Sequence, residues 1–431
     1  MKRFVQFALI LCTVTFLLFS LCSCMGEGDG GGGDRSMSAT AGAAGSGSAT
    51  GGETADNAPA DTEQPRLPVG MLTAGAWNDN EQYSAWLSLF SQKEDEDGKD
   101  GKFYSYTAGS ASWGYRSLGR VRVTVERDGE PIAGAAVAAL GEENEILFSA
   151  VTDAAGVAYL FPRDAAGKVR VTGGGATAEA AFDAEHRELA VALDATVEKR
   201  NVIEVMFVVD VTGSMGDEIR FLKAELADVI AKIAANDAET VIKLALLFYR
   251  DTDDKVPFAY YDFVDVTTSE GMAKQQAALD GQSATGGGDY PEAVDEALVL
   301  AIGKQWSTGA TTKLLFHVLD APAHDGVVYR QRLTGAVEAA AEKGIRICPI
   351  LCSGADEVTE YTSRQAAIYT GGTFIFVTDD SGIGNPHHDP ELPNVTVELL
   401  NSMLVRLVNG YHTGSFQDPV YWKDDPGLYQ E

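Results

Sequence analysis

The hydrophobic pattern changes character several times along the chain. An apolar run from Phe4 to Leu21 follows Lys2 and Arg3. Residues 25–66 carry Gly, Ala, Ser, Thr and Asp with almost no large apolar side chains. Tyr83, Trp86, Leu87 and Phe90 then recur at helical spacing, which predicts a short amphipathic helix in an otherwise irregular region, 67–118. From 119 to 195 the period becomes two: Val121, Val123 and Val125, then Val157, Tyr159 and Phe161, then Val169 and Val171, then Leu189, Val191 and Leu193. Turn signals such as Asp128-Gly129 separate these runs, so a small all-β sandwich is expected.

Beyond residue 200 apolar runs alternate with helical periods. Strands are predicted over 202–209, 241–249, 313–319, 345–351 and 373–377, and helices over 217–233, 291–302, 329–342 and 357–369. The first of these helices carries Ile219, Leu222, Leu226, Val229, Ile230 and Ile233 on one face. Near-continuous apolar strands imply a sheet covered on both sides. The fold class expected for 200–410 is therefore α/β, a doubly wound, mostly parallel sheet, closed by a last helix near 395–408 and followed by a tail, 411–431.

Composition narrows the function. The 431 residues hold 63 Asp and Glu against 33 Lys and Arg, a formal charge of −30. That balance argues against nucleic acid as a partner and against recruitment to anionic lipid by charge alone. Many of the 46 glycines fall in 25–66. That segment cannot bury enough surface to offset its ordering entropy, so a disordered tether with a reach of roughly 35 Å is expected. The acidic stretch 93–102 superficially suggests a calcium loop, but Lys99 stands where an oxygen ligand is wanted, and a solvated loop is the reading.

The N-terminal run has the form of a secretory signal, with a permanent anchor helix as the competing reading. Leu21-Cys22-Ser23-Cys24 resembles a bacterial lipoprotein lipobox. That resemblance implies removal of residues 1–23, a lipid on Cys24, and a cell-envelope location anchored to a bacterial membrane outside the cytoplasm. Cys348 and Cys352 lie four residues apart in a predicted strand, roughly 13 Å, and are expected to be buried thiols.

Gly129-Glu130-Pro131-Ile132-Ala133-Gly134-Ala135, followed by Thr152-Asp153-Ala154-Ala155-Gly156, resembles the carboxypeptidase-regulatory-like (transthyretin-like) β-sandwich. The resemblance implies a spacer without catalysis.

The chemistry gathers at strand ends, where open α/β sheets bind ligands. The first strand runs into Asp210-Val211-Thr212-Gly213-Ser214, with oxygen-bearing side chains at alternate positions. A later strand ends at Asp320, and a glycine-rich loop, Thr285-Gly286-Gly287-Gly288-Asp289-Tyr290-Pro291-Glu292, lies between. Carboxylate and hydroxyl oxygens suit a hard cation. These motifs resemble those of a von Willebrand factor A (VWA) domain with a metal-ion-dependent adhesion site. Thr212 stands where that family has its first serine.

The resemblance implies Mg²⁺ (or Mn²⁺ or Ca²⁺) held by Asp210, Thr212, Ser214 and Asp320, with Thr285 or Asp289 as the middle-loop ligand. It further implies a protein partner whose Asp or Glu carboxylate fills the open position, hence adhesion or scaffolding and not an enzyme. Aspartic protease, phosphoaspartyl and phosphate-loop readings each lack a required residue. Plain helix capping by Asp210 and Ser214 is the bland alternative. His324 and His387-His388-Asp389 make zinc conceivable, with loop roles preferred, and His317 is expected to be buried and hydrogen-bonded. A metal-dependent hydrolase would have only Glu292 and His324 as candidate bases. A metal-free envelope scaffold is the third possibility.

Overall fold

The structure, a computed structural model, describes residues 72–92, 99–107, 112–236, 239–381 and 387–426. The chain divides into two units, Met1–Thr62 and Glu63–Glu431, and only the second falls among these residues. The expected signal segment, Cys24, the 24–66 tether and the acidic core of the 93–102 loop lie outside them.

The first described element corrects the expectation for 67–118. Thr73–Trp77 forms a strand, β1, followed by the predicted short helix α1 (Tyr83–Ser88), in which Trp86 is buried. Thr73 and Trp77 suit a strand, but the Ala-Gly-Ala between them does not. Tertiary pairing imposes it, and Gly75 permits a close approach: a Cβ there would lie 2.4 Å from the Phe376 ring.

Eight short strands follow: β2 (Val121–Arg127), β3 (Glu130–Pro131), β4 (Ala136–Leu140), β5 (Ile146–Val151), β6 (Val157–Leu160), β7 (Gly167–Gly173), β8 (Ala176–Phe182) and β9 (Glu188–Ala192). They make two four-stranded sheets, β3-β2-β6 with β9 on β2, and β5-β4-β7-β8. Val121, Val123 and Val125 face inward, as do Val169 and Val171, as the period of two predicts; in β6 it fails, since Ala158 and Leu160 are buried and Tyr159 is only half-buried. The Asp128-Gly129 turn has both residues at positive φ, 53° and 86°, the geometry of a tight hairpin.

The remaining elements are β10 (Lys199–Asp210), α2 (Gly216–Asn236), β11 (Val241–Tyr249), β12 (Phe258–Asp265), α3 (Ser269–Asp280), α4 (Val294–Ile302), β13 (Ala310–Leu319), α5 (Val327–Glu342), β14 (Ile345–Leu351), α6 (Glu357–Thr370), β15 (Phe374–Val377), β16 (Glu398–Leu399) and α7 (Leu400–Thr413). One eight-stranded sheet has the order β12-β11-β10-β13-β14-β15-β1-β16. Its five central strands are parallel; β12 and β1 are antiparallel to their neighbours, and β16 to β1. Side chains of α2, α3 and α7 share one core with Val205, Phe207 and Val209. Those of α4, α5 and α6 share the other with Met206 and Val208. The doubly wound α/β reading therefore holds for this sheet, while β1, β12, α3 and β16 are additions to it.

The small sheets and the N-terminal segment are joined to the large sheet by buried contacts. Phe161 stacks on Tyr369 of α6 with ring centroids 4.5 Å apart. Arg364, also on α6, makes a bidentate pair with Asp79 (2.9 and 2.6 Å) and bonds Glu360 at 3.0 Å. Glu360 in turn accepts from Lys102 at 2.7 Å and meets His388 at 2.6 Å. Arg364, Asp79 and Glu360 are fully buried. A buried pair of this kind holds only where every partner is present.

Candidate functional site

The strand β10 is apolar from Val205 to Val209, and its last residue, Asp210, sits at the sheet centre between β11 and β13. Asp210 is wholly buried. Its Oδ1 accepts from the Thr212 N–H (2.8 Å) and the Thr212 hydroxyl (2.7 Å). Its Oδ2 is buried without a hydrogen-bond partner. Burial, and then the charge of Asp320, pushes the Asp210 carboxyl up to about 7, against the Thr212 bonds and Arg250. Asp320 follows β13 and is 5% exposed. It accepts from the Ser214 hydroxyl, and burial raises its pKa. Asp210, Thr212, Ser214 and Asp320 thus come together in the fold.

The middle loop is stitched to this turn. The Thr285 N–H donates to Val211 O (3.0 Å) and the Gly213 N–H to Gly286 O (3.3 Å). Gly286 and Gly287 have φ of +86° and +75°, and a Cβ on Gly287 would stand 2.8 Å from Glu292 Oε1 and 3.2 Å from Thr212 Cβ. The Gly287 N–H donates to Asp254 Oδ2 at 2.9 Å. Asp289 lies against Asp251. The two middle-loop candidates are therefore in different surroundings, Thr285 beside the first motif and Asp289 beside Asp251.

Two acids, Asp251 and Asp254, escaped the sequence reading of the site, and a third had only a lesser part in it. Glu292, weighed only as a base, is 4% exposed, and its Oε2 has no partner. Burial and then the charges of Asp210, Asp251, Asp320 and Asp254 push it up to about 9. Asp251 and Asp254 belong to the loop after β11, where the run Asp251-Thr252-Asp253-Asp254 at a strand end was the available signal. Asp251 Oδ1 lies 2.8 Å from His324 Nε2, so His324 has a carboxylate partner at the margin of the pocket.

His387 and His388 are paired with Asp379 (2.7 Å) and Glu360 (2.6 Å). His317 lies under the site, bonded to the Tyr249 hydroxyl at 3.1 Å, and burial lowers its pKa to about 3. Cys348 and Cys352 are buried thiols.

Among the described residues no three His, Cys, Asp or Glu side chains form a metal-holding group. A cation here would need the hydroxyls of Thr212 and Ser214 as well as the acids. The donor set fits a hard cation in one definite respect: the Asp210 Oδ2, buried among carboxylates that repel one another, has no hydrogen-bond partner.

Comparison with known proteins bears on the same region. Residues 204–379 match the family model described as von Willebrand factor A domain. No curated protein matches the chain. Among solved structures, BatB from Bacteroides thetaiotaomicron is 16% identical, over 42% of this chain and 91% of its own, with a TM-score of 0.30. The open conformation of the pilus adhesin SpaC from Lactobacillus rhamnosus GG is 9% identical over 64% of this chain and 35% of its own, TM-score 0.36. Proximal thread matrix protein 1 from the mussel byssus is 13% identical over 39% and 40%, TM-score 0.29. The chain thus spans about a third of SpaC's length.

Proposed function

From the premise of a von Willebrand factor A domain at residues 204–379, we propose that the protein is a surface-tethered, divalent-metal-dependent binding module for adhesion or scaffolding. Asp210, Thr212, Ser214 and Asp320 would hold Mg²⁺ (or Mn²⁺ or Ca²⁺), with Thr285 favoured over Asp289 by its backbone bond to Val211. The cation would supply a Lewis-acidic position for a partner's Asp or Glu carboxylate and invert the local charge of an acidic surface. The observation that carries the reading is the buried, partnerless Asp210 Oδ2 beside Asp320. In this reading Cys24 carries the lipid, residues 24–66 are the tether, and the two small sheets are a carboxypeptidase-regulatory-like spacer.

The test is calorimetric titration of Mg²⁺ and Mn²⁺ into the full chain. Saturable binding lost in Asp210→Ala is expected, and absence of any such binding sinks the metal-dependent reading.

A metal-free scaffold is the second reading. It is favoured by the protons that Asp210 and Glu292 retain near neutrality, which relieve the same repulsion without a cation. Capture of envelope proteins on the immobilised chain, with and without EDTA, separates the two. EDTA-sensitive capture supports the first and EDTA-resistant capture the second.

A further inference from the structure

At the opposite end of the large sheet, positive charge collects in a protein whose formal charge is −30. Lys199 at the start of β10, Lys313 in β13, Lys343 after α5 and Arg346 in β14 line one cleft. Its other wall is the small-sheet segment around Gly134 and Thr152. Lys313 and Arg346 are buried, 7% and 9% exposed, and Arg346 Nε has no hydrogen-bond partner. Lys199 and Lys343 are exposed at the rim. No carboxylate among the described residues lies within ion-pair distance of any of the four.

A plain structural role explains part of this. Lys313 Nζ donates to Lys343 O (2.8 Å), Lys343 Nζ to Ile302 O (2.7 Å), and Lys199 Nζ to His412 O, at the ends of α5, α4 and α7. Lysines at helix C-termini are stabilising, but each terminus carries only about half a negative charge, roughly one and a half for three helices. Four cations exceed that.

The nearby acids do not close the gap. Asp153, the acid lining the cleft, already accepts from the Ala155 and Val157 N–H groups through Oδ1. Glu204 is occupied by Ser307 and lies 3.7 Å from Lys243. Even counting Asp153 as fully charged, the cleft keeps a surplus of about one to two positive charges. Burial lowers the Lys313 pKa, and the Arg346 and Lys343 charges add to that against Glu204.

We propose that this cleft, where Arg346 and Lys313 on the floor face Lys199 and Lys343 at the rim, binds a tetrahedral oxyanion, inorganic phosphate being the probe. The surplus charge matches one phosphate. The cavity is small, about 30 Å³, which suits a compact ion better than an organic ligand. Arginine suits the task, because its fork pairs with phosphate oxygens. The ion would bridge the small-sheet segment to β13 and β14, tightening that junction. No Gly-Lys-Ser/Thr loop announces it, because the four cations come from separate stretches between residues 199 and 346.

The test titrates inorganic phosphate into the full chain by calorimetry at fixed ionic strength, with chloride as the baseline. Saturable binding above chloride is expected, unchanged by EDTA, lost in Arg346→Gln and weakened at least tenfold in Lys199→Gln/Lys343→Gln. The double variant alters exposed side chains, so it decides alone if Arg346→Gln does not fold. No heat beyond chloride in the wild type, or a double variant within threefold of it, overturns the proposal.

Discussion

Asp210→Asn should stabilise the metal-free protein, and the gain should depend on pH. Asp210 has an ordinary carboxyl value of 3.8 and is raised to about 7 in the fold. A raised acid costs nothing while both folded and unfolded chains hold the proton. The cost grows as pH passes 3.8, where the unfolded chain loses it, and is complete above about 7, where the folded chain must lose it too.

Three pKa units at about 1.4 kcal/mol each amount to ~4 kcal/mol at pH 8. Asparagine carries no charge and keeps an oxygen for Thr212, so it avoids that cost. Urea unfolding in EDTA should show the variant several kcal/mol more stable at pH 8 and little different near pH 4. Mg²⁺ should narrow that gap without reversing it, because at a hundredfold excess over its dissociation constant it adds about 2.7 kcal/mol to the wild type alone. A variant that is less stable than wild type at pH 8 in EDTA, or a difference that ignores pH, would refute the reasoning.

Two further outcomes follow from the packing. Arg364→Met should destabilise by about 3–5 kcal/mol in urea unfolding, since it leaves Asp79 a buried acid without its cation while Glu360 keeps Lys102 and His388, and adding Asp79→Asn should recover part of that loss. Gly287→Ala places a Cβ at φ +75° and 2.8 Å from Glu292 Oε1; it should cost ~1 kcal/mol or more of stability and weaken Mg²⁺ binding in calorimetry, with Gly288→Ala, where a Cβ meets nothing, as the silent control.

The parts of the fold that were legible in the sequence are those whose burial is one-sided or complete. Val121, Val123 and Val125 show a period of two because one face of β2 is covered. Val205–Val209 is continuously apolar because β10 is covered on both faces there. β1 was not legible, because its five residues include glycine and two alanines and owe their conformation to Phe374–Val377, some three hundred positions away. β12 was missed for a related reason: Phe258–Asp265 is a half-buried edge strand with aromatic and acidic residues interleaved.

At the candidate site, Asp210, Thr212 and Ser214 are close in sequence, so their convergence followed from one turn. Glu292 was legible only as a candidate base, because its buried place beside Asp210 depends on a bridge between Glu292 and Ala323 that only the folded chain makes.

The pairing of β1 also sets an order of assembly. The Thr73 hydroxyl meets the Thr378 hydroxyl at 2.8 Å across a separation of 305 residues. Closing a loop of that length costs about 5 kcal/mol in chain entropy. Local turns and the β10–β13 pairing close far shorter loops and can form first. During synthesis the edge of β15 that β1 covers does not yet exist when Thr73–Trp77 emerges, so this strand waits unpaired while three hundred residues are made. A chain that stops before β15 cannot give β1 its partner. The sheet therefore registers how much of the protein has been built, with the earliest described strand joining among the last.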